Sequence, residues 1–366
     1  MVEWKKLGEI CEIGTGANNR EDACDDGLYP FFVRSQEVLR INEYLFNEEA
    51  ILIPGEGGIG DIFHYFNGKY GLHQRTYRVH PISDSVYGKY IYYYLFANFK
   101  CYINKKSYKS TAASIRKPML TDFPISIPSL SEQQRIVSIL DTFTSSISNL
   151  KQQIEERRKQ YEYERDLLLD LEGKEGVETK KLGEVFDTRN GYTPSTKEEI
   201  FWTNGNIPWF KMEDIRDNGG ILSDSNLHIT PAAIKGKGLF KANSIILATS
   251  ATIGEHALIT VQHLCNQRFT NFYPNTKFVD KVDMKYVYYY MFIVDEWCKQ
   301  HVNQGGFASV DMTGLYNLPI PLPSLYEQQR IVSILDTFEA SIKNLEEQLA
   351  LREKQYEYYR NQLLTF

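Results

Sequence analysis

A fifteen-residue string occurs twice in this chain, as SLSEQQRIVSILDTF from Ser129 and as SLYEQQRIVSILDTF from Ser324, with one difference between the copies. A repeat of this kind implies two copies of one structural unit, so it constrains the fold more than any local propensity does. A second pair of anchors extends it. VEWKKLGEI at Val2 returns as VETKKLGEV at Val177, and between the anchors the match is faint but ordered: YIYYYLF against YVYYYMF, and FPISIPSL against LPIPLPSL. The chain reads as a diverged duplication in which each unit is a variable α/β domain followed by one long helix.

The helix start is legible in both copies. Pro128 and Pro323 precede Ser129 with Glu132 and Ser324 with Glu327, the spacing of a capping box. From Ile136 to Leu168, and again from Ile331 to Leu363, the helix positions recur in steps of four and three, mostly apolar, which is the pattern of a coiled-coil seam. Forty residues make a rod of about 60 Å, too long for one small domain to cover, so each rod is expected to pair with the other. Arg157 and Arg352 interrupt the seam at the same place. They either fix register as buried polar groups or reach solvent past a thin seam. The same repetition predicts that the segment around Val2 docks near the end of the second helix, closing a pseudo-twofold ring.

Net charge is −6, which on its face argues against a phosphate-rich partner. The average is uneven, however. Residues 1–128 carry 15 basic and 15 acidic side chains, whereas the acid excess sits mostly on the two helical segments. Between Ser85 and Thr121 there is no acidic residue, and Lys89, Lys100, Lys105, Lys106, Lys109, Arg116 and Lys117 form a local basic run. That run is either a nucleic-acid surface or an ordinary solvated face.

Several chemistries are disfavoured. GEGGIG at Gly55–Gly60 satisfies GxGxxG, but Pro54 separates it from the preceding strand, DIFHYF after it reads as a strand, and the second copy keeps only Ile-Gly-acid (Ile253, Gly254, Glu255). A tight turn between strands is the better account. No Walker lysine, zinc-ligand spacing or nucleophile pattern stands out, and the five cysteines include no CxxC pair. No apolar run approaches the roughly 20 residues of a membrane span, so a soluble, cytoplasmic protein without a metal of its own is expected. The tyrosine runs Tyr92–Tyr94 and Tyr288–Tyr290 fit core packing on a helix better than base stacking.

Two variable domains, each closed by an IP segment running into SLSEQQRIVSILD or SLYEQQRIVSILD, resemble the specificity subunit of type I restriction-modification enzymes over nearly the whole chain. The resemblance implies an α+β architecture: two tandem α/β target recognition domains (1–128 and 173–323) separated by two long antiparallel coiled-coil helices (129–172 and 324–366), in a pseudo-twofold circular arrangement. It implies a non-catalytic subunit whose domains each read half of a split, asymmetric duplex DNA site. Its helices would dock two methyltransferase subunits, with restriction translocase-nuclease subunits able to join. S-adenosylmethionine, ATP and magnesium would belong to those partners, and this chain would carry no cofactor.

The resemblance also points to the loop before each IP segment as a DNA contact. That nominates Lys106, Lys109, Ser110, Thr111, Ser114, Arg116 and Lys117 in the first domain, and Gln304, Gly305 and Ser309 in the second. Lys235, Lys237 and Lys241 are expected as backbone anchors, within an acid-free stretch from Ser225 to Gly254. Gln74 with Arg75, and Gln267 with Arg268, are placed alike in both domains and either brace the fold or touch DNA. For partner subunits, the repeated positions Gln133, Gln134, Arg135 and Ser138, with Gln328, Gln329, Arg330 and Ser333, are expected to face outward. The rival readings are a coiled-coil scaffold joining two ligand-binding domains without nucleic acid, and a nuclease with its own metal site.

Overall fold

The computed structural model describes residues 2–106, 114–303 and 308–365. It divides into two compact units, Met1–Gln153 with Leu345–Phe366, and Ile154–Asn344. Each unit therefore holds one domain, part of the helix that leaves it and part of the other long helix.

In the first unit a six-stranded sheet runs in the order Cys11–Thr15, Thr76–Pro81, Phe46–Pro54, His64–Leu72, Tyr29–Phe32 and Val38–Ile41. All its pairings are antiparallel except that of Tyr29–Phe32 with His64–Leu72. The apolar run Ala50–Ile53 is fully buried, as a strand covered on both faces must be. On one face lies the helix Gly88–Lys106, whose Tyr90, Ile91, Leu95 and Phe99 pack with Ile51, Ile53 and Val79. The expected tyrosine helix is thus a core element, with Tyr93 and Tyr94 buried and Tyr92 packed against the same core.

The second unit repeats the plan on a different sheet. Phe186–Asn190, Phe269–Pro274, Ser244–Ala248, His256–Ile259 and Ile221–Leu222 form five strands, and the helix Met284–Gln300 buries Tyr286, Tyr288, Tyr289 and Tyr290. A three-stranded sheet around Ile207–Phe210 adds a separate core under Trp209 and Phe240.

A small ladder leads into each long helix. Glu3–Lys6 pairs with Pro124–Ile127, and Glu178–Lys181 with Pro319–Leu322, each proline opening its strand where no ladder donor is required. The helices then run Leu130–Leu169 and Leu325–Leu363. Ser129 and Ser324 cap them, accepting from the Glu132 and Glu327 N–H groups at 3.4 and 3.3 Å. The reciprocal half of the box is replaced, because both glutamates instead take two-pronged bonds from Arg135 and Arg330.

What fixes each helix to its own domain is a clamp that occurs twice. Gln133 is fully buried; its side-chain oxygen accepts from Tyr87 N–H at 2.8 Å, and its amide donates to the carbonyls of Ser85 and Pro128. Gln328 does the same with Asp283 N–H and the carbonyls of Lys281 and Pro323. Two turns on, Asp141 takes Lys89 Nζ at 2.7 Å and Tyr93 Oη at 2.6 Å, while Asp336 takes Lys285 Nζ and Tyr289 Oη at those same distances. Ile136 and Leu140, with Ile331 and Leu335, enter the domain cores.

This corrects the expectation that Gln133 and Gln328 face partners: both satisfy buried backbone groups of their own domain, which is reason enough for the string to be kept. Gln134, Arg135 and Ser138, with Gln329, Arg330 and Ser333, are exposed.

Beyond the clamp the helices pair with each other, antiparallel. In the first unit Phe143 stacks on Tyr359 at 5.3 Å and Lys151 meets Glu353 at 2.9 Å; in the second, Tyr161 packs on Phe338 and donates to Glu339 at 3.1 Å. The two seam arginines take a third course, distinct from both expectations. Arg352 lies over the Phe143 ring at 5.6 Å and Arg157 over Phe338 at 5.8 Å, each half-buried, a cation–π contact across the seam.

The helix ends are equally symmetric. Leu169 and Leu171 join the core of the second domain with Leu182, and Leu364 joins the core of the first with Leu7 and Ile10. The segment after Val2 thus docks at the end of the second long helix, as expected.

The copies differ at Glu339, where the first has Thr144. Burial, with Asp336 adding to it, holds the Glu339 carboxyl above the usual carboxylate range, against the hydroxyls of Tyr161 and Tyr289 and the charge of Lys285. A carboxyl raised on folding contributes stability below its unfolded pKa, about 4.3, and loses that contribution as pH rises through the folded value. Glu339→Gln is therefore expected to match the parent in urea midpoint near about pH 4 and to exceed it near about pH 8. Midpoints that differ by the same amount at both pH values would contradict this.

Candidate nucleic-acid interface

At one end of each sheet two loops meet. The hairpin turn after Pro54 and the turn after Ala248 each abut the loop that precedes the IP segment. Ile115 N–H donates to Gly55 O at 2.7 Å, and Val310 N–H to Thr249 O at 2.9 Å. In the second domain Ser250 also bridges Ser309.

The GEGGIG segment is the expected turn between antiparallel strands. Its surviving glycine has a packing reason. Gly60 and Gly254 both sit at positive φ, and a Cβ there would meet Lys100 at 3.0 Å in one domain and the Asp295 carbonyl at 2.7 Å in the other. Both glycines let the turn close onto the tyrosine helix.

The same end carries the Gln-Arg pairs. Gly55 N–H donates to Arg75 O and Thr249 N–H to Arg268 O, while Gln74 donates to Asn19 and Thr193 to Gln267. The glutamines brace the loop after the first sheet strand; the arginine side chains are exposed.

Of the nominated contacts, Arg116 and Lys117 are exposed at the start of a short helix, Lys117–Thr121, and Ser114 is half-buried beside them. With Ser309 they lie at the loop junctions just described. Lys106 ends the first tyrosine helix. Lys109, Ser110, Thr111, Gln304 and Gly305 lie outside the described residues.

Lys235 is held by its backbone N–H on Tyr192 Oη at 2.9 Å, and Tyr192 N–H in turn bonds Cys265 O, near the Gln267–Arg268 end. Lys237 is exposed between Gly236 and Gly238. Lys241 is not gathered with the others: it precedes the strand Ser244–Ala248, at the opposite end from the turn, with its ammonium 4.6 Å from the Tyr273 ring centroid.

Sequence reasoning missed the clamp residues Lys89, Asp141, Lys285 and Asp336. Their signal was a Lys-Tyr step opening both tyrosine runs. It also missed His256 with Asp295, a buried pair at 2.6 Å whose second ring nitrogen faces the Tyr288 carbonyl at 2.9 Å. With both nitrogens engaged and the ring packed against Phe292, the imidazole has no free position from which to activate a nucleophile. No group of three or more His, Cys, Asp or Glu suited to a metal occurs among the described residues, and no described helix is long and apolar enough to cross a membrane.

Comparison with known proteins agrees with this architecture. The chain is 49% identical over 201 residues to the type I restriction enzyme EcoprrI specificity subunit of Escherichia coli, covering 52% of this chain and 50% of that one. It is 37% identical over 252 residues to the EcoR124I/EcoR124II specificity subunit of the same organism, covering 65% and 60%. The matches thus span between a half and three fifths of these relatives' length. The crystal structure of the type I restriction-modification system S subunit from M. genitalium shares the fold, with a TM-score of 0.62 at 15% identity over 100% of this chain and 96% of that one. The model of the type I restriction modification DNA specificity domain matches twice, at residues 1–157 and 174–351. With both copies of the repeat accounted for in this way, the chain belongs to the type I restriction-modification DNA specificity family.

Proposed function

We propose that this chain reads duplex DNA as the specificity subunit of a type I restriction-modification complex, each domain recognising one half of a split, asymmetric site. The observation that carries the reading is the pairing of a duplicated, matching clamp with loop ends that differ between the domains. A chain that must hold two readers alike while each reads different bases needs that division. Methylation and cleavage would then reside in partner subunits, with S-adenosylmethionine, ATP and magnesium bound there and none here. Two methyltransferase subunits would dock on the exposed helix faces around Gln134, Arg135 and Ser138 and around Gln329, Arg330 and Ser333, with restriction translocase-nuclease subunits able to join in the cytoplasm.

The near-neutral charge of the domains favours weak binding by the chain alone and tighter binding with the methyltransferase. Mobility-shift titration with and without the co-purified methyltransferase tests this, and a scaffold that never binds DNA would shift nothing in either case. Lys109→Ala with Arg116→Ala is expected to weaken binding and to reduce the slope of log affinity against log salt by up to about 2. Unchanged affinity across the salt series would remove both residues from the interface.

A further inference from the structure

Three side chains that no motif joins meet in the first domain, two of them, Arg34 and Glu56, lining a 250 Å³ pocket. Arg34 Nη1 donates to Glu56 Oε2 at 3.1 Å, and Arg75 Nη1 donates to the same oxygen at 2.8 Å. Their side chains are 43%, 36% and 56% exposed, so as surface ion pairs they contribute little to stability. Each guanidinium spends one N–H on the carboxylate and keeps others, while Glu56 Oε1 accepts nothing among the described residues. Arg75 foremost, and Arg34 with it, hold the Glu56 carboxyl below its ordinary range. Exposed, preorganised donors and a charged acceptor therefore stand together beside one small concavity.

The second domain supplies the comparison. His73 N–H bonds Phe32 O as Asn266 N–H bonds Phe210 O, and the Gly55–Arg75 backbone bond matches that of Thr249 with Arg268. Counting from those bonds, the positions of Arg34, Glu56 and Arg75 are held by Met212, Ser250 and Arg268. The two backbone bonds and one arginine are common; Met212 is buried in its own domain's core, so the accessible difference beside the shared arginine is Glu56 against Ser250. A shared arginine cannot by itself tell two half-sites apart, whereas a carboxylate beside it in one domain and a hydroxyl in the other can.

We propose that Glu56 and Arg75 are the specificity-determining pair of the first domain and read one G·C base pair in the major groove. Arg75 donates to guanine O6 and N7, Glu56 Oε1 accepts from the cytosine N4 amino group, and Arg34 holds Glu56 in place. This rests on the DNA-reading function proposed above.

The test is selection from a randomised duplex pool by the full chain with its co-purified methyltransferase. The parent is expected to enrich a split motif with an invariant G·C pair in one half. Arg75→Ala should lower discrimination at that pair alone by about 10- to 100-fold. Arg34→Met with Glu56→Ser, which places the second domain's residue types at these positions, should change the base preferred at that pair and nowhere else. Both variants alter exposed groups, and an unchanged melting temperature checks their folding. If both enrich the parental motif, or if Arg75→Ala weakens all sequences alike, as a phosphate contact would, the assignment is overturned. If the parent enriches no motif at all, the DNA-reading function itself falls and this assignment falls with it.

Discussion

Gln328→Leu is expected to destabilise the second unit by about 3–5 kcal/mol, far more than a glutamine on a long helix ordinarily contributes. The side chain is fully buried, and its removal leaves the Asp283 N–H and the Lys281 and Pro323 carbonyls without their partner. Each buried group left unpaired costs about 1–3 kcal/mol, partly offset by the apolar surface that leucine buries. Urea unfolding followed by tryptophan fluorescence suits the measurement, because Trp202, Trp209 and Trp297 all belong to that unit. Gln329→Leu, one residue on and exposed, is the control and should change stability by no more than about 0.5 kcal/mol. Equal effects from the two substitutions would mean that the clamp does not hold the domain.

The second large effect lies at the other end of the helices. Leu364 is 2% exposed within the first domain's core, beside Leu7 and Ile10. Leu364→Ala should cost about 2–4 kcal/mol through lost burial and the cavity left behind. Because the loss falls on the first unit, backbone amides of the strand Phe46–Pro54 should lose hydrogen-exchange protection. Leu351→Ala, on the same helix but 58% exposed, should leave them protected. Should Leu364→Ala leave exchange unaltered, the helix end would not be part of that core. Leu169→Ala, the equivalent residue of the first long helix, carries the corresponding expectation for the second unit.

Much of this was legible in the amino-acid order because it was written twice. The duplication, the serine caps, the turn after Pro54 and the burial of the tyrosine runs all follow from residue type and spacing. Gln133 and Gln328 were misplaced because helical periodicity separates apolar from polar positions but does not show which polar side chain faces a neighbouring element. Their direction is set by backbone groups more than forty residues away, at Ser85 and Tyr87 and at Lys281 and Asp283.

Arg157 and Arg352 were read as either buried or solvent-seeking, and the flat guanidinium resolved the conflict by lying on a phenylalanine of the facing helix. Of the junction of Arg34, Glu56 and Arg75, only Arg75 was marked in the linear order, through the repeated Gln-Arg pair. Strand pairing alone brings those three positions together, and the repeat preserves only one of their residues.

The two kinds of position have no member in common. Clamp residues serve the chain's own domain and helix, while the loop ends that vary are joined by backbone-to-backbone bonds, which leave the exposed side chains between the turn glycines free to change. Mutational change at Arg34 or Glu56 therefore bears little on foldability, so preference for a new target can arise in this domain by few substitutions without a stabilising compensation elsewhere. Evolvability of that kind is a physical property of where the hydrogen bonds were placed.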